Sequence, residues 1–100
     1  MQEVSPSMTF KRMETAQIVD VREDEEVSAG MIPGALHIPL GQLQTRLPEL
    51  DSARPTITVC RSGRRSLTAA QTLSDAGFTV ESMEGGMNLW AKEGHPTALP

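Results

Sequence analysis

The one cysteine of the chain, Cys60, is followed at once by Arg61, Ser62, Gly63, Arg64, Arg65 and Ser66. Nowhere else does the sequence set a nucleophile, a glycine and a cluster of cations side by side. A β-branched run, Thr56-Ile57-Thr58-Val59, leads into the cysteine, and a helical pattern follows the arginines. A strand that turns tightly into a helix N-terminus aims backbone N–H groups and positive dipole charge at the turn. Thiolate, not thiol, is the reactive form, and a free cysteine titrates at about 8.5, so only a few per cent is thiolate at pH 7. Lowering that value by about two units takes ~2.7 kcal/mol of preferential stabilisation of the anion. One helix terminus supplies about 0.3–1 kcal/mol, so loop N–H donors and neighbouring guanidiniums must supply the remainder. No histidine lies in the loop, and none is needed as a base once the thiolate is pre-formed. Gly63 gives the loop backbone angles closed to other residues.

The elements that must hold this loop follow from pattern and punctuation. Ile18-Val19-Asp20-Val21 and Thr56 to Val59 read as buried parallel strands. Leu36-His37-Ile38 is a short strand stopped by Pro39, and Phe78 to Met83 is another. Ser7 or Ser5-Pro6 starts a short helix over Met8 to Glu14, with Ser7 read as its N-cap. Arg22 to Glu26 leads into a short acidic helix that ends at Gly30, and Ile32-Pro33-Gly34-Ala35 is a turn. Leu40, Leu43, Leu47 and Leu50 have helical spacing, interrupted near Pro48. The strongest helix runs from Ser66 to Ala76, with Leu67, Ala70, Leu73 and Ala76 on one face and Gly77 as its stop. Gly85-Gly86 makes a turn before a last helix, Met87 to Glu93, that carries Trp90. Alternating short strands and helices predict an α/β fold with a parallel sheet between helices. Such sheets bind ligands at the carboxyl ends of their strands, where both Cys60 and the Asp20–Arg22 region fall.

Composition narrows the function. One hundred residues make one domain, 1–100. A net charge of −4 argues against a nucleic-acid binder. The crowding of Arg61, Arg64 and Arg65 on an acidic chain instead suggests a small anionic ligand. One cysteine allows no internal disulfide and fits a reducing compartment. The N-terminus has neither the basic nor the apolar segment of a secretory signal, and no apolar run approaches the roughly 18 residues that would span a bilayer. The expectation is a cytoplasmic protein with no membrane segment. His37 and His95 have no partners at metal-ligand spacing, and no cofactor or metal is expected. The methionines read as core filler and Trp90 as core packing.

These motifs together resemble the rhodanese family, the single-domain sulfurtransferases. The matching stretches are Asp20-Val21-Arg22-Glu23, Ala29 to Ala35, Ile38-Pro39-Leu40, Cys60 to Ser66, and Glu84-Gly85-Gly86-Met87 with Trp90. They stand in family order and spacing from residue 18 to about 96. Met31 departs from the pattern, since the family commonly has a histidine, usually structural, before Ile-Pro-Gly-Ala. The resemblance implies a three-layer α/β/α fold around a five-stranded parallel sheet. It also implies that Cys60 takes up a sulfane sulfur as a persulfide and passes it to cyanide or a thiol acceptor.

On that reading Cys60 is the catalytic nucleophile, and Arg61, Ser62, Gly63, Arg64 and Arg65 form the substrate-binding loop. Arg61 and Arg64 suit an anionic donor such as thiosulfate, through charge-assisted hydrogen bonds. Arg65 either does the same or turns inward onto a carboxylate. Ser66 either caps the following helix or donates to the bound sulfur. Asp20 is expected to order the site by accepting loop N–H bonds, with acid catalysis as the alternative, and Arg22 to serve as an ion-pair partner. Four residues separate Cys60 from Arg65. Cysteine phosphatases have one more, which opens a ring wide enough for a tetrahedral phosphate, whereas the shorter ring suits a single sulfur atom. The alternatives are a sulfur carrier loaded or unloaded by a protein partner, a phosphatase or arsenate reductase, and a non-catalytic binding domain.

Overall fold

The computed structural model describes all residues 1–100. Five strands form one sheet: β1 (Glu3–Val4), β2 (Gln17–Asp20), β3 (Leu36–His37), β4 (Thr56–Val59) and β5 (Val80–Met83). Their order is β1-β5-β4-β2-β3, and every pairing is parallel. The helices are α1 (Pro6–Lys11), α2 (Asp24–Val27), α3 (Arg65–Asp75) and α4 (Gly86–Lys92). The fold class expected from the sequence is therefore the one observed. Central strands β2 and β4 are buried at every position, as parallel strands covered on both faces must be.

Alternation along the strands splits the interior in two. Ile18, Ile57, Val59 and Met83 pack on one side with Met87 and the fully buried Trp90 of α4. Val19, Val21 and Cys60 pack on the other with Ala69 and Leu73 of α3 and with Leu43 and Leu50. The Trp90 indole N–H donates to the Pro96 carbonyl at 2.8 Å, so its polar edge is satisfied inside the core.

Several expected boundaries shift, each for a local reason. The first helix starts earlier, at Pro6, because Ser5 and not Ser7 is the cap: the Ser5 hydroxyl accepts from the Met8 N–H at 3.1 Å. Proline at the first helical position suits that start. Strand β1 had no periodic signal; its two residues are held by β5, with the Glu84 N–H on the Val4 carbonyl at 2.8 Å. Leu40 to Leu50 forms two 3-10 segments, Leu40–Gln42 and Gln44–Glu49, instead of one helix; Pro48 within it has no N–H to donate. The buried stripe of α3 runs through Ser66, Ala69, Ala70 and Leu73, while Leu67 is half-buried and Ala76 exposed. Gly77 ends that helix at a φ of +95°, and the Phe78 N–H closes back on the Leu73 carbonyl at 2.9 Å. That bond withholds Phe78 from the sheet, so the last strand begins at Val80.

Candidate active site

Cys60 stands one residue beyond β4, at the carboxyl edge of the sheet, and is only 1% exposed. Its Sγ accepts a hydrogen bond from the Gly63 N–H at 3.0 Å and lies 3.4 Å from the Ser66 hydroxyl. As a thiol, Cys60 donates to that oxygen; as a thiolate, it accepts from the hydroxyl. Ser82 of β5 donates to the Ser66 oxygen at 2.7 Å, leaving the Ser66 proton free to point at sulfur. Ser66 and Ser82 are both fully buried. Thr58 fixes the same turn by donating to the Ser66 carbonyl at 2.7 Å. Burial pushes the Cys60 thiol pKa up, but hydrogen bonds from the Ser66 hydroxyl and from the amides of Ser66, Gly63 and Ser62 outweigh it, leaving the thiol below its ordinary value.

The loop is pinned from behind by α4. The Met87 N–H donates to the Cys60 carbonyl at 2.8 Å and the Asn88 N–H to the Arg61 carbonyl at 2.9 Å. The approach is close enough that a Cβ at Gly86 would overlap the Cys60 carbonyl oxygen and come within 2.5 Å of the Arg61 carbonyl carbon. Gly63 has a φ of +103°, which turns its N–H inward onto sulfur; glycine alone adopts that angle without strain.

The four arginines near the loop separate into two kinds. Arg61 and Arg64 are exposed, and neither has a carboxylate within ion-pair reach. Arg65 is different. Its two terminal nitrogens grip both oxygens of Glu26, at 2.6 and 2.7 Å. Of the two expectations for Arg65, the inward turn onto a carboxylate is the one the structure shows. The Arg65 hydrogen bonds hold the Glu26 carboxyl at a pKa of about 2. Glu26 also accepts from the Glu23 N–H at 2.9 Å, which ties the start of α2 to the same carboxylate.

Asp20 accepts a backbone N–H from the turn just after β2 and none from the Cys60 loop. Its Oδ1 takes the Arg22 backbone N–H at 3.1 Å and Nε at 3.0 Å, and its Oδ2 takes Nη2 at 2.8 Å. Strand alternation explains this: Asp20 shares the parity of Ile18 and faces away from Cys60. Arg22 continues to the Gly30 carbonyl at 2.9 Å, so the Asp20–Arg22 pair braces α2 and the turn after it. Ser66 does not supply a side-chain cap to α3, whose N-cap residue is Arg64; its hydroxyl is committed to Cys60 and Ser82. Sequence reasoning missed two members of the site. Ser82 showed only as a hydroxyl residue within an otherwise strand-like run, and Glu26 was hidden in an acidic stretch that read only as the lead into a short helix.

The rhodanese-like domain family matches residues 6–93. The chain belongs to that family. Among relatives of this rhodanese-like chain, YtwF of Bacillus subtilis (strain 168), provisionally named a sulfurtransferase, is 38% identical over 97 residues that cover 94% of each chain. YrkF of the same organism, provisionally named a sulfur carrier protein, is 44% identical over 78 residues, covering 77% of this chain and 42% of its own length. A crystal structure of a rhodanese-related protein from Thermoplasma volcanium superposes with a TM-score of 0.95 over 100% of both chains at 27% identity.

Proposed function

We propose that this rhodanese-like protein is a sulfurtransferase that carries sulfane sulfur on Cys60, with an anionic donor of the thiosulfate type. The observation that carries the reading is the Cys60 sulfur itself, buried yet met by the Gly63 amide and the Ser66 hydroxyl. A group so held is stabilised as an anion and surrounded by donors that suit a second sulfur. The Cys60 thiolate attacks the outer sulfur of thiosulfate; the S–S bond of the donor breaks, and sulfite leaves with the electron pair. Charge is conserved, and Cys60 is left as a persulfide. Arg61 and Arg64 are the free cations that would receive the donor's oxygens. Attack by cyanide or a thiol on the outer sulfur returns the thiolate.

Two features weigh against phosphoryl chemistry. The ring is one residue shorter than in the cysteine phosphatases, and Arg65, at the loop end where a phosphate would be gripped, is held by Glu26. A second reading, a carrier charged by a protein donor, is favoured by the name of YrkF. Intact mass spectrometry separates the two. Incubation with thiosulfate should add the mass of one sulfur atom, cyanide should remove it, and Cys60→Ser should show no adduct. An adduct that persists in Cys60→Ser ends the persulfide assignment. Slow loading by thiosulfate with fast loading by a cysteine desulfurase makes the protein a carrier.

A further inference from the structure

Beside the Cys60 loop, an open groove of about 450 Å³ runs between α2, α4 and the C-terminal segment. Of its lining residues, the donor step described above uses only Arg61. Its apolar wall is Ala29, Met87 and Ala91, and its polar rim includes Arg61, Asn88 and Thr97. The groove adjoins the loop through Arg61. Arg61 belongs to both, and the amides of Met87 and Asn88, whose side chains line the groove, hold the carbonyls of Cys60 and Arg61. Its other end is bounded by Glu26, which grips Arg65 at the far end of the same loop.

The charges of the groove nearly cancel, and what remains is informative. Arg22 is neutralised by Asp20 at 2.8 Å and Glu26 by Arg65 at 2.6 Å. Arg61 is left as the one cation without a protein counter-charge. The volume falls within the range of small-molecule sites, roughly 300–1,000 Å³, and far exceeds the needs of cyanide. An occupant matched to it is small, bears one anionic group for Arg61, and lays a partly apolar body against Ala29, Met87 and Ala91.

We propose that this groove is the acceptor subsite, and that it selects an anionic low-molecular-weight thiol over neutral thiols and over cyanide. The inference rests on the persulfide reading above. With the acceptor in the groove, its thiolate attacks the outer sulfur of the protonated Cys60 persulfide. A new S–S bond forms on the acceptor, the bond between the two Cys60 sulfurs breaks, and the electron pair returns to Sγ as thiolate. The acceptor leaves as a persulfide carrying the proton, so no oxidant or reductant enters. Asn88 and Ala91 are the specificity-determining positions, because both are exposed on α4 and face the groove.

The test uses protein already loaded with sulfur and freed of donor, so that failure to load, which would defeat the persulfide reading, is seen separately from failure of the subsite. Discharge rates are measured with mercaptopropionate, mercaptoethanol, glutathione and cyanide, the thiols normalised to their thiolate fractions. Asn88→Glu places a negative charge beside Arg61; it should slow discharge to mercaptopropionate about tenfold while changing mercaptoethanol less than about twofold. Ala91→Trp fills the groove; it should lower the glutathione-to-cyanide rate ratio about tenfold or more. Equal effects on charged and neutral thiols, an unchanged glutathione-to-cyanide ratio, or no effect of either substitution overturns the proposal.

Discussion

Four arginines border the Cys60 loop and its groove, and they fall into two contrasting pairs. Arg22 and Arg65 each meet a protein carboxylate through two nitrogens, Arg22 almost fully buried and Arg65 partly so. Arg61 and Arg64 are exposed and without a counter-ion. The first pair holds α2 and the loop in place; the second keeps its charge unpaired. A planar fork on a carboxylate is the geometry that guanidinium favours, and once formed it leaves little charge for a substrate. Proximity of an arginine to a nucleophile is therefore a poor guide to its role. The carboxylate within its reach decides, whether two residues away as for Arg22 or 39 as for Arg65.

Breaking the buried pair should have the largest effect. Asp20→Ala leaves the Arg22 guanidinium buried without its carboxylate and should cost about 3–5 kcal/mol of stability, read as a lower denaturant midpoint. A cost below about 1 kcal/mol would put this pair with surface ion pairs and erase the contrast. Removing a free cation should do the reverse. Arg61→Ala should lower kcat/KM for thiosulfate about ten- to a hundredfold, the value of one or two charge-assisted bonds, while shifting stability by less than about 0.5 kcal/mol. Equal losses of activity and stability would show Arg61 to be structural.

Glu26→Gln sharpens the middle case. The Glu26 carboxyl is lowered from 4.5 to about 2, so its contribution to stability is complete above pH 4.5 and lost as pH falls toward 2. Because both partners are partly exposed, the contribution should be only about 1 kcal/mol. Acid titration of unfolding should show the wild type losing that difference across this window, and Glu26→Gln should be flat there. The smallest effect is expected at Ser82. Ser82→Ala frees the Ser66 oxygen from its donor and should raise the Cys60 pKa slightly, because the Ser66 hydroxyl becomes a weaker donor to the thiolate. The pH profile of iodoacetamide alkylation checks this, since a purely structural role would change stability without moving the profile.

What was legible in the sequence was what local chemistry decides. The β-branched runs at β2 and β4 announced buried strands, and the glycine within the arginines announced a tight loop after β4. The expected end of α3 at Gly77 agrees with a helix whose last residue is Asp75. The rest depended on partners distant in the chain. Strand β1 exists only because β5, nearly the whole chain away, offers an edge. Arg65 and Glu26 lie 39 residues apart, and nothing in either neighbourhood names the other. Ser82 joins Cys60 through Ser66 only after α3 has packed on β4 and β5. Asp20 was placed on the right sheet edge, but strand alternation turns it away from Cys60, and Arg22 occupies its carboxylate. Parity along a strand was readable; which parity carried the chemistry was not.

The near-complete enclosure of Cys60 bears on how the protein meets oxidants. A low-pKa thiolate is the form that peroxide oxidises to sulfenic acid, and sulfenate is rescued when a second thiol closes a disulfide. This chain has one cysteine, so rescue must come from outside, through a loop that leaves the sulfur 1% exposed. Unrescued, the sulfur proceeds to the irreversible sulfinic state. In the proposed cycle the loaded form presents the outer sulfur first, and oxidation there leaves a bond that reduction can still cut. Storage as the persulfide would then guard the nucleophile, and the resting thiolate would be the vulnerable state.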